Sequence, residues 1–333
     1  MEGQGWELLP LMGEQTGAFR RSDSERLAAG FEIPTDDMIS VRDRDMPLGK
    51  SVFHYFPMRG DKWLDWLVKS PQHWDEVGLR VRTDGTVHGV IRYIDDMGSP
   101  AVAVTCALCH SAPTTRSNFH DGRATRTLDL GKARTLWKNA YGIAAGDEAH
   151  WGQGRIDVTD DGVNGPTAIP DLFGLSHARY LNCSGVIEVV DPAVPAMRFE
   201  TQYILGHEMR ARPARDLTVA LANFLMSLTP QTQPAAVPQA FTDHCAGCHD
   251  PDAGFSGGLV DAKLVGTDTT AAYTPARGTG YYKVPSLLGL SHGGPYFHDA
   301  SAETVDEVLE RHAPLEALTS EARSQITTFL LTL

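Results

Sequence analysis

Cysteine is scarce, at five in 333 residues, and a chain of this length needs no cross-links to hold a core, which excludes a disulfide scaffold. Long apolar runs are absent. No window approaches the roughly 18–20 uninterrupted apolar residues of a membrane span, so no membrane span is expected. Positive charge is in deficit, because 29 Lys and Arg against 42 Asp and Glu leave a formal net charge of −13. No nucleic acid partner is expected on that surface, since phosphate binding needs basic groups that release counterions. The acidity serves solubility or steers a basic partner, and alone it does not choose between them. The N-terminal MEGQGWELLP lacks the basic region and apolar run of a secretory signal.

What is present is ordinary globular composition, with 42% hydrophobic and 21% charged residues, enough to bury a core and too apolar for disorder. The length suits two or three units. Residues 1–100 are rich in aromatics, with Trp63, Trp66 and Trp74 in an apparently helical stretch from Lys62 that reads as core. From Leu79 to Thr105 apolar and polar residues alternate around Asp84-Gly85, which predicts a hairpin. Apolar residues at helical spacing predict helices over Arg215–Leu228, stopping before Thr229-Pro230, and over Ser320–Leu333. The polar, proline-bearing stretch Gln231 to Pro238 reads as a linker. The expected division is therefore an N-terminal extension at 1–100, a first domain at 101–230 and a second at 231–333.

Four of the five cysteines fall in two pentads, Cys106-Ala107-Leu108-Cys109-His110 and Cys245-Ala246-Gly247-Cys248-His249. CxxCH is the attachment motif of haem c. Two thiols three residues apart on one turn reach the two vinyl groups of a single porphyrin, and the adjacent histidine meets the iron as proximal ligand. A thioredoxin-like redox pair or a zinc site also uses CxxC spacing, but neither calls for the following histidine twice. Two haem c groups are thus expected, held by Cys106, Cys109 and His110 and by Cys245, Cys248 and His249. Covalent haem attachment normally occurs outside the cytoplasm, so a periplasmic or otherwise exported protein whose signal has been removed is expected.

Residues 283–299, KVPSLLGLSHGGPYFHD, closely resemble a signature in the second haem domain of bacterial di-haem cytochrome c peroxidases and their MauG-like relatives. The resemblance implies a second axial ligand of the C-terminal haem 14 residues beyond the histidine of that phrase, at His312. Patterning agrees independently, because Val305, Val308, Leu309 and His312 share one face of a helix. His298 is the rival ligand, or a hydrogen-bonding residue at the haem edge. The stretch WGQGRIDVTDDGVNGPTAIPDLFGL from Trp151 is similar to the first haem domain of the same superfamily, particularly its rubber-oxygenase-like branch. His120 and His150 are the candidates for a sixth ligand to the first iron, and neither matches the peroxidase spacing, so an open or labile site is expected there. By resemblance Glu200 lies where relatives carry a distal acid/base carboxylate; the alternative is an exposed glutamate on a helix surface. Relatives place a tryptophan between the haems, whereas the matching stretch here, Tyr180 to Gly185, has none and contains Cys183, either a reactive thiol or axial ligand or a small buried packing residue. The phrase Phe119-His120-Asp121-Gly122 resembles that bridge but lies out of order. Calcium occurs between the haem domains of relatives, and no compact ligand loop establishes it here.

The expected fold is mainly α, with two cytochrome c-like haem domains and an N-terminal extension containing a short β-hairpin. The expected function is peroxide reduction at the first haem, with electrons taken from a small redox protein, a cytochrome c or cupredoxin, and relayed by a bis-histidine second haem. The alternatives are MauG-like or rubber-oxygenase-like oxidation of an organic or protein substrate with peroxide or dioxygen, and a non-catalytic electron-transfer cytochrome.

Overall fold

The computed structural model describes residues 8–115, 118–158, 163–231, 234–312 and 318–333. The first seven residues of the N-terminal stretch, four residues of the phrase from Trp151 and two of the linker lie outside them. The chain divides into two compact units, each assembled from separated stretches: Met1–Asp121, Thr127–Ala149 and Pro192–Leu225 in the first, Gly122–Arg126, His150–Asp191 and Met226–Leu333 in the second.

The mainly α expectation is corrected: the protein is 37% helical and 16% strand, a mixed α/β chain with small antiparallel sheets. The first unit is organised by a four-stranded sheet in the order β2-β1-β3-β4, formed by β1 (Gln15–Arg20), β2 (Ile39–Ser40), β3 (Thr86–Ile94) and β4 (Pro100–Val104). Strand β3, TVHGVIRYI, is buried along most of its length, as suits its β-branched and aromatic side chains. The Asp84-Gly85 turn exists, but it closes only the bridge between Val81 and Val87. The long hairpin reverses at Asp95–Ser99, where the Asp95 carboxylate accepts the backbone N–H groups of Met97 and Ser99. Arg92 enters the sheet 2% exposed and is held by the Asp37 carboxylate and the carbonyls of Ala18 and Pro34. Strand β1 carries no clean alternation, and β2 has two residues, so neither announces itself in the sequence.

Around the sheet stand α1 (Arg21–Ala28), α2 (Leu48–Tyr55), α3 (Lys62–Leu67), α4 (Cys106–His110), α5 (Leu130–Ala140), α6 (Ala193–Gly206) and α7 (Arg215–Met226), with the small pair β5 (Ser111–Pro113) and β6 (Phe119–Asp121). Trp63 and Trp74 are buried as expected.

Among the described residues the second unit has three two-stranded pairs: β7 (Arg155–Ile156) with β8 (Thr167–Ala168), β9 (Tyr180–Leu181) with β10 (Ile187–Glu188), and β11 (Leu259–Asp261) with β12 (Tyr281–Lys283). Helices α8 (Gln239–His244), α9 (Val305–Arg311) and α10 (Ser320–Leu330) enclose a core of Phe241, Phe255, Val305, Leu309, Ile326 and Phe329. The Thr304 and Thr319 side chains cap α9 and α10 by accepting the N–H groups of Glu307 and Ala322, each satisfying one orphan donor of its helix. Among the described residues, no helix is long and apolar enough to cross a membrane.

A repeat lies inside this unit. PDLFGLSH at 170–177 and PSLLGLSH at 285–292 agree at six of eight positions, and each folds as a left-handed glycine, Gly174 or Gly289, leading into one 3-10 turn. The two copies meet reciprocally. A Cβ on Gly174 would lie 2.4 Å from Ser286 Oγ, and one on Gly289 would lie 2.9 Å from the Phe173 ring, so both close approach and positive φ require glycine. The His177 carbonyl accepts Ser256 Oγ at 3.5 Å and the His292 carbonyl accepts Arg123 at 3.3 Å. Each copy thus grips the segment downstream of the other copy's pentad.

Candidate functional site

The first pentad is helix α4, a single turn entered from β4. Its Leu108 backbone lies so close to β3 that a Cβ on Gly89 would come within 2.4 Å of Leu108 Cα. Cys106 and Cys109 are free, half-buried thiols. Burial pushes them up to about 11 and about 12, so both are neutral thiols near neutrality. The Tyr203 hydroxyl of α6 lies 3.7 Å from Cys106 Sγ.

Beside the pentad stands a polar network that the sequence did not announce. Ser111, next to His110, donates its hydroxyl to Asp121 at 2.7 Å. Asp121 also meets His54 Nε2 at 3.0 Å and Lys50 at 3.4 Å, and these partners overcome the cost of its burial to hold the carboxyl well below the usual range. The Arg82 guanidinium lies 2.7 Å from His88 Nδ1, and since arginine can only donate, the His88 proton sits on Nε2 and is donated to the Ser111 carbonyl at 2.7 Å. Burial, assisted by Arg82, pushes His88 down to about 3. Lys50 and His54 are one turn apart on α2, while Arg82, His88 and Asp121 reach the network from three other segments that no local spacing relates to them.

Of the candidate sixth ligands, His150 is exposed at the end of a 3-10 turn, while His120 is half-buried on β6. Glu200 lies on α6, only 6% exposed, with Arg215 Nε 3.4 Å from its carboxylate. The exposed-surface alternative for this residue is therefore wrong.

The second pentad follows α8 as a turn, with the Cys245 N–H and the Ala246 N–H both reaching the Phe241 carbonyl. Cys245 is half-buried, Cys248 exposed, and both are free thiols. Burial raises Cys245 to about 11 and lowers His249 to about 4. His249 Nδ1 lies 3.0 Å from the Phe255 carbonyl, and His312 Nδ1 lies 3.2 Å from the Val265 carbonyl. Each carbonyl is met through Nδ1, which makes Nε2 the nitrogen a metal would take, the arrangement by which a carbonyl orients a ligating imidazole. The two ring centres are 6.5 Å apart. Two imidazoles bound on opposite sides of one metal ion, with bonds of about 2 Å and ring centres about 1 Å beyond the ligating atoms, have centres roughly 6 Å apart. Cys245, Cys248, His249 and His312 fit, and would hold, a covalently attached haem at this pentad.

His298, the rival, stacks on Tyr282 with ring centres 4.1 Å apart and holds Thr267 Oγ1 through Nδ1 at 3.1 Å. Cys183 packs against Ala262, Ala271, Ala272 and Tyr282, and burial raises its thiol, the surroundings of a small packing residue. Among the described residues no cluster of three or more His, Cys, Asp or Glu could hold a metal ion, so a site for calcium is not found there.

No family model matches the chain, and no curated protein matches it by sequence. Among solved structures, a chain of hydrazine synthase from Kuenenia stuttgartiensis, pressurised with 20 bar xenon, is similar at a TM-score of 0.40 and 19% identity, covering 56% of this chain and 78% of that one. A likeness at that level carries no functional argument.

Proposed function

We propose that this chain is an exported, periplasmic-type oxidoreductase carrying two covalent haem c groups, which reduces hydrogen peroxide at the first with electrons relayed from a small redox protein through the second. The observation that carries the reading is the facing pair His249 and His312, 6.5 Å between ring centres, beside the free thiols of Cys245 and Cys248. Haem c bound at the two pentads supplies a one-electron carrier at 245–249 and an iron accessible to peroxide or dioxygen at 106–110. The chain supplies the rest. Cys106, Cys109 and His110 hold one group; Cys245, Cys248, His249 and His312 hold the other. Glu200, kept buried and oriented by Arg215, accepts the first peroxide proton and returns it to the departing oxygen, which is general acid/base work.

Intact mass and pyridine haemochrome absorbance of the protein, produced with haem-attachment machinery, should give two haems per chain. A protein that leaves that machinery with zinc or a dithiol in place of haem defeats the reading. His312→Ala should convert the second haem from low-spin to a high-spin or ligand-exchanged form, and an unchanged spectrum moves the ligand to His298. Two haems that stay low-spin on reduction and take neither cyanide nor peroxide assign the chain to electron carriage.

A further inference from the structure

Two consecutive residues of β3, His88 and Gly89, grip the first pentad at both ends. Ahead of it, the Thr105 N–H donates to the Gly89 carbonyl at 2.9 Å; behind it, His88 Nε2 donates to the Ser111 carbonyl at 2.7 Å. Between these bonds the Leu108 backbone leaves no room for a Cβ on Gly89. Ser111 is held a second time through its side chain, whose hydroxyl donates to Asp121 Oδ1 at 2.7 Å across the β5–β6 pair. Thr105, Ser111 and His88 are all buried, where a hydrogen bond left unmade is costly.

The grip is itself braced. Arg82 fixes the His88 tautomer from Nδ1, and the Phe119 ring stacks on His88 with centres 3.8 Å apart. The Asp121 carboxylate is held by His54 Nε2 at 3.0 Å and by Lys50 at 3.4 Å. The residue after the second pentad stands differently: Asp250 is exposed, and its carboxylate caps the Asp252 N–H. Attachment does not account for the contrast, because both pentads have the same spacing and free thiols. The second pentad has His312 facing His249, so two imidazoles would centre an iron between them. At 106–110 the free thiols of Cys106 and Cys109 stand on one turn with His110 and fit the same covalent group. In the reading above His110 is then the one protein ligand, and what orients a ligating imidazole tunes the metal it holds.

We propose that His88 and Asp121 are positioning residues for His110, pinning the peptide that follows it so that its imidazole is presented to the first iron in one orientation. The inference rests on the haem reading above. The test uses the haem-loaded full-length protein and the iron–histidine stretching mode of the reduced first haem in resonance Raman. His88→Leu, which removes the donor to the Ser111 carbonyl, and Ser111→Ala, which removes the hydroxyl held by Asp121, should each shift or broaden that mode and leave the lines of the second haem in place. His88→Gln, whose amide can still donate to the carbonyl, should restore it. In His88→Leu, kcat for peroxide should fall about 10–100-fold, the usual worth of a group that orients a metal ligand, with KM little changed. If His88→Leu does not accumulate, Ser111→Ala decides. Two attached haems with the mode unmoved in these variants overturn the proposal and leave the network a purely structural role. A shift that His88→Gln fails to reverse overturns it as well, because lost packing rather than the lost hydrogen bond is then the cause. A wild-type chain whose mass shows no haem at 106–110, or whose first iron carries a second protein ligand, defeats the functional reading instead.

Discussion

The two pentads are spelled almost alike but stand in unlike surroundings. At 106–110 the motif is a helical turn pressed onto a strand, flanked by a network in which Ser111, Asp121, His54 and His88 constrain the residues after His110. At 245–249 it is a turn at a helix end, with an exposed Cys248 and a second imidazole facing His249. The shared spacing is that of a haem c attachment motif, while the elements packed around each pentad decide which side chains stand beside it.

The largest expected effect comes from deleting the motifs separately. Cys106→Ala with Cys109→Ala should leave one haem per chain and abolish peroxide turnover, whereas Cys245→Ala with Cys248→Ala should leave a haem that still binds peroxide but cannot be re-reduced; mass and stopped-flow absorbance check both. Glu200→Gln should slow peroxide cleavage by about 10²–10⁴, the usual worth of a general acid/base, while leaving electron entry at the second haem unchanged. In the second unit, Gly174→Val and Gly289→Val should each cost about 2–4 kcal/mol through overpacking and strain at positive φ. Gly152→Ala, also at positive φ but with nothing near its would-be Cβ, should cost about 1 kcal/mol, measured by denaturant unfolding. A gradual effect is expected on pH dependence. A histidine held neutral costs nothing above its unfolded pKa, near 6.5, and destabilises the fold increasingly as pH falls toward the folded value, about 3 for His88. Asp121, held low, acts in the same direction, since its stabilisation is lost as acid protonates it. In urea titrations between pH 6.5 and 3, His88→Gln should therefore flatten the acid arm of stability by about 1.4 kcal/mol for each pH unit, the linkage slope of a single proton.

Much of the helical content was legible. The helix over Arg215–Met226, the closing helix from Ser320 and the face shared by Val305, Val308 and Leu309 all follow from apolar spacing. The sheet was not, since β1 reads QTGAFR and pairs with β3 some seventy residues away, and a strand whose partner is distant need not carry its own period. The repeated PDLFGLSH and PSLLGLSH phrases were readable by self-comparison, but not their reciprocal contact.

By itself the sequence determined where the two CxxCH pentads lie, the spacing that would hold a haem c, because covalent attachment demands fixed residues at fixed spacing and spacing is written in the chain. Tertiary structure alone decided that Glu200 is buried and that His312 stands 6.5 Å from His249. Those are distances and burials between segments remote in sequence, set by packing that no local pattern encodes.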